Sequence, residues 1–489
     1  MYRKITTGKA KTAQRIIITF EEDLGRKRHD AIGTRDRDAF RRCLETPGFR
    51  GEAGDVAVAD DLIVLGLGAR ESIGTDAVRR AGAKLHAFLD RAGITAVVFT
   101  QRSDCNRLAV DSLAEALAEG IALANWRLEG YDGTSGKSVT RHARLRLDAE
   151  RPATRVGLKR GLALAEAVNL TRMVSTTPPN VCHPAWVAKQ ARRLARDSGM
   201  SCKVIDAKKA ESLGMGGITN VGKASEIPPC LVQLEWKPPK VAKAAKGRHL
   251  VLVGKTITYD TGGYSLKISN SMRGMKYDMC GGAAVLGAMK AIADSKLPVR
   301  VTGLLPAAEN MVADDAYRPD DIITMYDGTT VEVTNTDAEG RLVLGDALAY
   351  ACDRLKPTEI IDIATLTGGV VVALGNFCAG MWCEHDRFRG AIECAATGSD
   401  EKVWQMPVWE AHREFMRSPV ADILNSNPKR LAHPIQGAAF LSYFVDPEIP
   451  WAHLDIAGVA SVESDPVTGA GSTGWGVRLL HTLVRGMAT

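Results

Sequence analysis

The chain has 489 residues, too many for one hydrophobic core, and its 45% hydrophobic and 25% charged residues are typical of a globular protein. Its net charge of +6 is a small excess of 63 basic over 57 acidic residues, so the composition does not indicate a nucleic-acid-binding protein. The ten cysteines form no C-x-x-C pair and the N-terminus lacks a secretory signal, so we expect reduced thiols and a cytoplasmic location.

Short apolar runs alternate with helical patterns in the first third of the chain. Strands are predicted at 15–20, 61–65 and 96–100, and helices at 76–89 and 110–123. This alternation indicates an α/β layer with a mainly parallel sheet. A long helical pattern at 156–174 ends before Pro178 and Pro179, because two prolines cannot continue a helix. We therefore expect a smaller N-terminal α/β domain, residues 1–165, and a larger C-terminal α/β domain with a mixed central sheet, residues 166–489.

One stretch, 363–383, carries no charge and is long enough to raise the question of a membrane span. It is rich in glycine and threonine and contains Asn376. A buried strand followed by a loop and a helix start is therefore the better interpretation, and we expect no membrane span.

Four acidic residues lie at predicted element boundaries in the second half of the chain. Asp260 follows the strand that begins at 249–253 and precedes two glycines, where backbone can approach a ligand closely. Asp278 precedes a helix start rich in glycine and alanine. Asp337 and Glu339 lie between a strand that ends near Thr334 and a helix that follows, which is a favoured place for sites in α/β folds.

Carboxylate oxygens suit divalent ions such as Mn²⁺, Mg²⁺ or Zn²⁺. Four carboxylates are enough to hold two ions about 3.5–4 Å apart, which would offset their repulsion and lower the pKa of a shared water. The ordinary alternative is that these acids are solvated surface groups or helix caps, with Asp337 and Glu339 in the first turn of a helix. Spacing alone leaves both interpretations open.

The run from Asn335 to Leu342, N-T-D-A-E-G-R-L, resembles the signature octapeptide of the leucine aminopeptidase family, also called the cytosol aminopeptidases. The segments 253–267 and 275–279 resemble the other metal-binding segments of that family, and further similarity lies at 169–184, 362–368 and 451–458. The resemblance covers roughly 160–489, whereas the N-terminal third is similar only loosely, around 114–131. It implies a metal-dependent exopeptidase that releases leucine and other apolar residues from the N-termini of peptides.

The family pattern also implies the roles of individual residues. It implies that five residues are metal ligands: Lys255, Asp260, Asp278, Asp337 and Glu339. Asp260 and Glu339 would be shared by both ions. Lys255 would bind as a neutral amine, since adjacent ions would depress its pKa. Lys267 would stabilise the oxyanion, and Arg341 would hold bicarbonate as a general base. The implied cofactors are two divalent ions per subunit, Mn²⁺ or Zn²⁺.

The pocket for the first side chain of the peptide is predicted by position in the family pattern. It would include Met275, Thr365, Leu366, Gly368, Ala457 and Ala460. Some relatives carry methionine where Ala460 stands, so we expect a wider pocket that accepts larger first residues. The family assembles as a homohexamer, a dimer of trimers. Cys280 stands where many relatives have glycine, and it is either sensitive to oxidation or an inert buried thiol.

Other protein classes fit less well. The runs 254–256 (G-K-T) and 136–138 (G-K-S) lack the first glycine of a phosphate-binding loop, and neither H-E-x-x-H nor G-x-S-x-G occurs.

A second hypothesis is a DNA-binding or structural member of the same family with reduced or no peptidase activity. Basic clusters at 26–28, 41–42 and 141–146 favour DNA binding, but interleaved acids such as Glu21 and Asp36 weaken that case. The complete set of implied ligands argues against an inactive member. A steep fall in affinity with salt would be the signature of DNA binding.

Overall fold

The computed structural model describes residues 1–10, 12–25, 32–100, 108–131 and 142–489, which form two compact units. Met1–Asn169 and Glu463–Ala470 make up the first unit, and Leu170–Val462 and Gly471–Thr489 make up the second. The division falls inside one long helix, Pro152–Thr176. The domains 1–165 and 166–489 stay a prediction, and the short segment Glu463–Ala470, predicted within the second domain, groups with the first unit.

The first unit contains a six-stranded sheet and helices. Its elements are β1 (Ile5–Thr7), β2 (Gln14–Thr19), α1 (Arg37–Leu44), β3 (Val56–Ala59), β4 (Leu62–Gly66), α2 (Thr75–Arg91), β5 (Ala96–Phe99), α3 (Val110–Ala124), β6 (Leu145–Ala149) and α4, the long helix Pro152–Thr176. The strand order is β1-β6-β5-β2-β4-β3, and all neighbours are parallel except β3 and β4. The strands and helices predicted for this region are confirmed.

Strand β4 shows why this sheet is covered on both faces. All five of its residues are buried, because successive side chains of a strand point to opposite faces and those of β4 are apolar on both. Ile63 and Leu65 pack in the cluster that includes α2 and α3, whereas Leu62 and Val64 pack in the cluster that includes Phe40 of α1.

The basic clusters cited for DNA binding are only partly described. Residues 26–28 and 141 lie outside the described residues. Within them, Arg42 forms an ion pair with Asp60, and a guanidinium nitrogen of Arg41 lies 4.0 Å from Asp38 Oδ1. Acidic partners therefore accompany Arg41 and Arg42, as the interleaved charges of the sequence predicted.

The second unit contains the longer sheet. Its strands are β7 (Ser201–Asp206), β8 (Cys230–Trp236), β9 (His249–Gly254), β10 (Thr256–Asp260), β11 (Arg300–Asn310), β12 (Ile322–Thr324), β13 (Thr330–Glu332), β14 (Glu359–Ala364), β15 (Ala379–Trp382), β16 (Val403–Gln405), β17 (Ile423–Leu424), β18 (Trp451–Asp455), β19 (Ser461–Val462) and β20 (Gly471–Ser472). Its helices are α5 (Pro184–Ser198), α6 (Ala207–Ser212), α7 (Gly216–Gly222), α8 (Cys280–Asp294), α9 (Glu339–Tyr350), α10 (Gly368–Leu374), α11 (Asp386–Ser399), α12 (Glu410–Glu414), α13 (His433–Ser442) and α14 (Val477–Gly486).

The nine-stranded sheet has the order β16-β15-β18-β14-β9-β11-β8-β7, with β10 beside β11. Its centre, β18-β14-β9-β11, is parallel, and β15 against β18 and β8 against β11 and β7 are antiparallel. The predicted α/β fold with a mixed central sheet is therefore confirmed.

Helices cover both faces of this sheet. In β9, Leu250 and Leu252 pack in the cluster of α8 and α14, and Val251 and Val253 pack in the cluster of α9 and α13. The continuous apolar run of β9 follows from this burial on both faces.

The uncharged stretch 363–383 forms the end of β14, a loop and α10, as expected from its composition, and also contains the whole of β15. In the described part of the chain, no helix is long and apolar enough to cross a membrane.

Candidate metal centre

The predicted ligands lie at the carboxyl edge of the central parallel strands. Strand β9 leads into Lys255, β10 ends at Asp260, and β11 ends at Asn310. Farther along the sheet, β14 leads into Thr365, and β18 ends at Asp455. Because these five strands, β10, β11, β9, β14 and β18, run parallel to one another, their carboxyl ends meet at one edge. Ligand sites in α/β sheets favour this edge.

The chain turns sharply after Asp260. Gly262 and Gly263 have φ angles of 86° and 59°, a left-handed conformation that other residues rarely adopt. The N–H of Gly262 donates to Asp260 Oδ1 at 2.9 Å, and the N–H of Lys267 returns to donate to the carbonyl of Thr261 at 2.9 Å. The turn thereby brings Lys267 Nζ to 2.8 Å from Asp260 Oδ2.

A second turn, which carries Asp337, is bonded to the first. The Thr336 hydroxyl donates to the carbonyl of Gly262 at 2.6 Å and accepts from the N–H of Ser265 at 2.7 Å. Asn310 joins both turns, since its Nδ2 donates to Asp260 Oδ1 at 2.8 Å and to the carbonyl of Thr336 at 3.0 Å. Sequence reasoning missed Asn310, although an amide that ends a long buried strand is a signal that points to it.

The structure brings the five predicted ligands together. One oxygen each of Asp260, Asp337 and Glu339 lies within 4.8 Å of the other two. Lys255 connects Asp278 to this group, because Lys255 Nζ lies 2.8 Å from Asp278 Oδ2 and 2.8 Å from Glu339 Oε1. All of these side chains except that of Asp337 are buried.

The carboxylates carry more negative charge than the site stabilises. Burial raises the pKa of Asp337 to about 6, with added repulsion from Glu339 and Asp260, and burial raises the pKa of Asp278 well above its ordinary value. Burial alone would lower the pKa of Lys255, but the attraction of the neighbouring carboxylates outweighs it and raises that pKa. For Lys267, too, the attraction of neighbouring carboxylates outweighs the effect of burial and raises the pKa.

These residues fit divalent cations. The four carboxylates face two ammonium groups, so an excess of negative charge remains in the pocket. Glu339 Oε2 is buried and has no hydrogen-bond partner among the described residues, although buried acceptors normally have one. Oxygen donors of this kind suit divalent ions.

Arg341 lies on the same helix as Glu339 and is buried. Its Nη1 donates to the carbonyl of Asn425 at 2.7 Å, whereas its buried Nε has no acceptor within the described ranges. Burial lowers the pKa of Arg341 to about 10, which keeps the guanidinium charged at neutral pH. An anion beside Nε would satisfy this donor.

Asn425 is a second residue that sequence reasoning missed. Its Oδ1 accepts from the N–H of Thr334 at 2.9 Å, and its Nδ2 donates to the carbonyl of Asn335 at 2.7 Å. Because its own carbonyl accepts from Arg341, this one buried residue connects the guanidinium to the turn that carries Asp337.

Two of the predicted pocket residues touch the metal centre or lead into it. The Thr365 hydroxyl donates to Asp278 Oδ1 at 2.9 Å, and the Thr365 carbonyl accepts from Lys255 Nζ at 3.1 Å. Met275 begins a short 3-10 turn, Met275–Tyr277, that leads directly into Asp278.

The structure brings two further pocket residues together. The N–H groups of Leu366 and Ala457 donate to the same oxygen of Asp455. Gly368 begins α10, and Ala460 is buried a short distance after Ala457. The shared role of the six residues in one pocket stays a prediction.

The environment of Cys280 favours an inert thiol. The side chain is 3% exposed at the start of α8. Burial raises its pKa to about 12, despite hydrogen bonds to Ser175 and Ser472, so very little reactive thiolate forms at neutral pH. All cysteines of the described residues are free thiols, and Cys105 lies outside them.

Comparison with protein families gives matches to both parts of the chain. The catalytic domain of the cytosol aminopeptidase family matches residues 169–481, and the N-terminal domain of that family matches residues 45–134. The similarity therefore extends beyond the loose resemblance seen around 114–131. The probable cytosol aminopeptidase of Aquifex aeolicus is 37% identical over 473 residues, which cover 94% of this chain and 93% of the relative. The probable cytosol aminopeptidase of Persephonella marina is 37% identical over an alignment of 506 residues, which covers 98% of this chain and 99% of the relative.

Solved structures resemble the chain over nearly its whole length. The bottromycin maturation enzyme BotP in complex with Mn superposes with a TM-score of 0.84 at 32% identity and covers 98% of this chain and 100% of that one. A mutant of the tomato leucine aminopeptidase also superposes with a TM-score of 0.84, at 30% identity. This match covers 99% of this chain and 96% of the tomato chain.

The packing of Gly340 against Lys255 predicts the effect of adding one methyl group. A Cβ atom at Gly340 would lie 2.5 Å from Lys255 Cε and 2.6 Å from Lys255 Nζ. Gly340→Ala is therefore expected to displace the amine and to weaken metal binding about 10- to 100-fold, a typical loss when a residue that orients a ligand is changed. Titration with Mn²⁺, followed by calorimetry, measures this.

Gly390→Ala is the matched control, since Gly390 also lies in a helix and a Cβ there meets nothing within 4 Å. It is expected to leave metal affinity unchanged and to raise stability by about 0.5–1 kcal/mol. Equal metal affinity in Gly340→Ala and in the unmodified protein would show that the position of Lys255 does not matter for metal binding.

Proposed function

Because the chain belongs to the cytosol aminopeptidase family and is therefore a metal-dependent aminopeptidase, we propose that it is a two-metal leucyl aminopeptidase. It would release leucine and other apolar residues from the N-termini of peptides. The observation that carries this proposal is the group of Asp260, Asp337 and Glu339 oxygens within 4.8 Å of one another, beside Lys255 and Asp278.

Five side chains are assigned to the two ions: Lys255, Asp260, Asp278, Asp337 and Glu339, with Asp260 and Glu339 shared. When bound, two divalent ions supply polarisation of the scissile carbonyl and lower the pKa of a water molecule that attacks it. Mn²⁺ and Zn²⁺ both suit this donor set. The Mn complex of BotP supports Mn²⁺ as the first ion to test.

Lys255 can serve as a ligand only as the neutral amine. Its carboxylate neighbours, Asp278 and Glu339, favour the ammonium form. Divalent ions held by the same carboxylates would repel that ammonium and lower the Lys255 pKa. Metal binding at this site is therefore expected to release a proton from Lys255.

Lys267 and Arg341 are assigned to the reacting groups. The Lys267 ammonium lies 2.8 and 2.5 Å from the carboxylates of Asp260 and Asp337, and in its protonated form it would donate to the oxyanion that develops on the substrate carbonyl. Arg341 would hold a bicarbonate ion that takes the proton of the attacking water. The buried Nε of Arg341, with no acceptor among the described residues, supports an anion at this position.

The hypothesis of a DNA-binding or inactive member is not favoured. The whole set of implied ligands is present in one pocket, and the described basic residues Arg41 and Arg42 have acidic neighbours. Both observations agree better with an active peptidase.

We also propose that the chain assembles as a homohexamer, a dimer of trimers, in the cytoplasm. Two large apolar side chains near the pocket segment, Val372 and Phe377, are 90% and 79% exposed in the single chain, and burial between copies would remove them from water. Light scattering is expected to give about six times the chain mass of 52.5 kDa. A monomer mass at micromolar concentration would contradict the assembly, and cell fractionation checks the location.

Purified protein is expected to hydrolyse leucine p-nitroanilide with added Mn²⁺ and to lose this activity after chelation. Asp337→Ala removes one carboxylate of the metal centre and is expected to lower kcat/KM at least about 100-fold, with reduced metal content. Asp386→Ala is the control, because this α11 residue is exposed and pairs only with Arg389 in the contacts described. No cleavage with any divalent ion, by a hexamer that is intact, would contradict the proposed activity.

The small side chain of Ala460 predicts broad specificity for the first residue. We expect cleavage of the p-nitroanilides of methionine and phenylalanine in addition to those of leucine and alanine. Ala460→Met should narrow the pocket and lower kcat/KM for phenylalanine about tenfold relative to alanine, which is within the range that pocket contacts discriminate. Cleavage of leucine and alanine substrates, with refusal of methionine and phenylalanine, would show that the pocket is not widened.

A further inference from the structure

Two segments that carry the predicted pocket meet at one buried carboxylate. Asp455 ends β18 and is 0% exposed. Its Oδ1 accepts from the N–H of Leu366 at 3.0 Å and from the N–H of Ala457 at 3.1 Å, and its Oδ2 accepts from the Thr367 hydroxyl at 2.7 Å. Three donors from two segments therefore converge on a side chain to which the sequence assigned no role.

A carboxylate is well suited to this position. It offers several acceptor lone pairs and no donor, so both backbone N–H groups and the hydroxyl are satisfied at once. Loss of the side chain would leave the N–H groups of the half-buried residues Leu366 and Ala457 without this acceptor, and a lost partner of this kind is costly enough to let the backbone move.

The first of the two segments extends from the metal centre to α10. Thr365, immediately before Leu366, contacts Asp278 and Lys255. On the other side, the Thr367 hydroxyl accepts from the N–H of Val370 at 3.2 Å and caps the first turn of α10. Asp455 therefore holds the middle of a segment whose beginning touches the ligands and whose end begins a helix.

The second segment carries Ala457 and Ala460. The N–H of Ala460 donates to the carbonyl of Ile456 at 2.9 Å, and the N–H of Ile456 donates to the carbonyl of Ala364 at 2.8 Å. The position of Ala460 thus depends on a short turn whose first residues are held by Asp455 and by the end of β14.

From this geometry we propose that Asp455 is a positioning residue that sets the pocket for the first side chain of the peptide by holding Leu366 and Ala457 at a fixed separation. The proposal rests on the aminopeptidase function proposed above and on the six predicted pocket residues. Asp455 contacts neither the metal ligands nor, in this assignment, the substrate, so its effect is expected on discrimination between substrates rather than on metal binding.

The test compares kcat/KM for leucine and alanine p-nitroanilides, with metal content and Tm, in the unmodified hexameric enzyme and in two variants. Asp455→Ala is expected to lower the leucine-to-alanine ratio about tenfold, mainly through a higher KM for leucine, with unchanged metal content. Asp455→Asn is expected to keep the ratio within about threefold, since one amide oxygen still accepts from both N–H groups and the amide NH₂ can donate to Thr367.

Asp346→Ala is the matched control for the loss of a buried aspartate. Asp346 is 0% exposed in α9, and its two oxygens accept from the N–H groups of Ile218 at 2.8 Å and Tyr326 at 2.9 Å, away from the pocket segments. This variant is expected to lower Tm and to leave the leucine-to-alanine ratio unchanged.

The outcomes separate this proposal from the proposed function. An active unmodified enzyme whose ratio is the same in Asp455→Ala, or falls equally in Asp346→Ala, overturns the role of Asp455 alone. An unmodified enzyme that cleaves neither substrate with any divalent ion overturns the proposed function and this role with it. If Asp455→Ala does not fold, Asp455→Leu, which keeps a branched side chain of similar shape and removes both acceptor oxygens, takes its place, and an unchanged ratio in that variant overturns the proposal.

Discussion

The accumulation of negative charge in one buried pocket is the constraint on which the rest of the catalytic unit depends. Asp260, Asp278, Asp337 and Glu339 converge there, and Lys255 and Lys267 offset only part of their charge. Removing carboxylates from water is costly unless they are paired or bind cations. The fold meets this cost by placing each carboxylate where a lysine or a fixed hydrogen-bond donor meets it, and the remaining charge is what makes the pocket suitable for divalent ions.

The parallel centre of the nine-stranded sheet makes such convergence feasible. Its strands end at one edge, so short loops after β9, β10, β11, β14 and β18 all reach the same place. The second requirement is that the lysine side chains can approach the carboxylates closely. Gly340 leaves room for the Lys255 side chain, and the left-handed glycines after Asp260 return the chain so that Lys267 meets the carboxylates. The same edge holds the metal centre and the predicted pocket, and Thr365 belongs to both.

Much of the fold and the metal centre could be predicted because their signals are local. The alternation of strands and helices, the apolar run of β9 and the turn after Asp260 depend on neighbouring residues. The octapeptide from Asn335 to Leu342 places two acids and an arginine at a strand-to-helix turn. A short motif of this kind fixes both the residue types and their relative positions, so the resemblance to the family could be recognised without knowledge of the contacts.

By itself, the sequence determined the fold class and the family, and through the family motifs it predicted the five ligands, because alternating apolar patterns and short motifs are local signals. Only the tertiary structure identified Asn310, Asn425 and Asp455. Asn310 bonds to Thr336, 26 positions away, Asn425 to Thr334, 91 positions away, and Asp455 to Leu366, 89 positions away. A single polar residue at a strand end can be noticed in the sequence, as Asn310 could have been, but its partners cannot be named, because they become neighbours only when the sheet has brought separate loops to one edge.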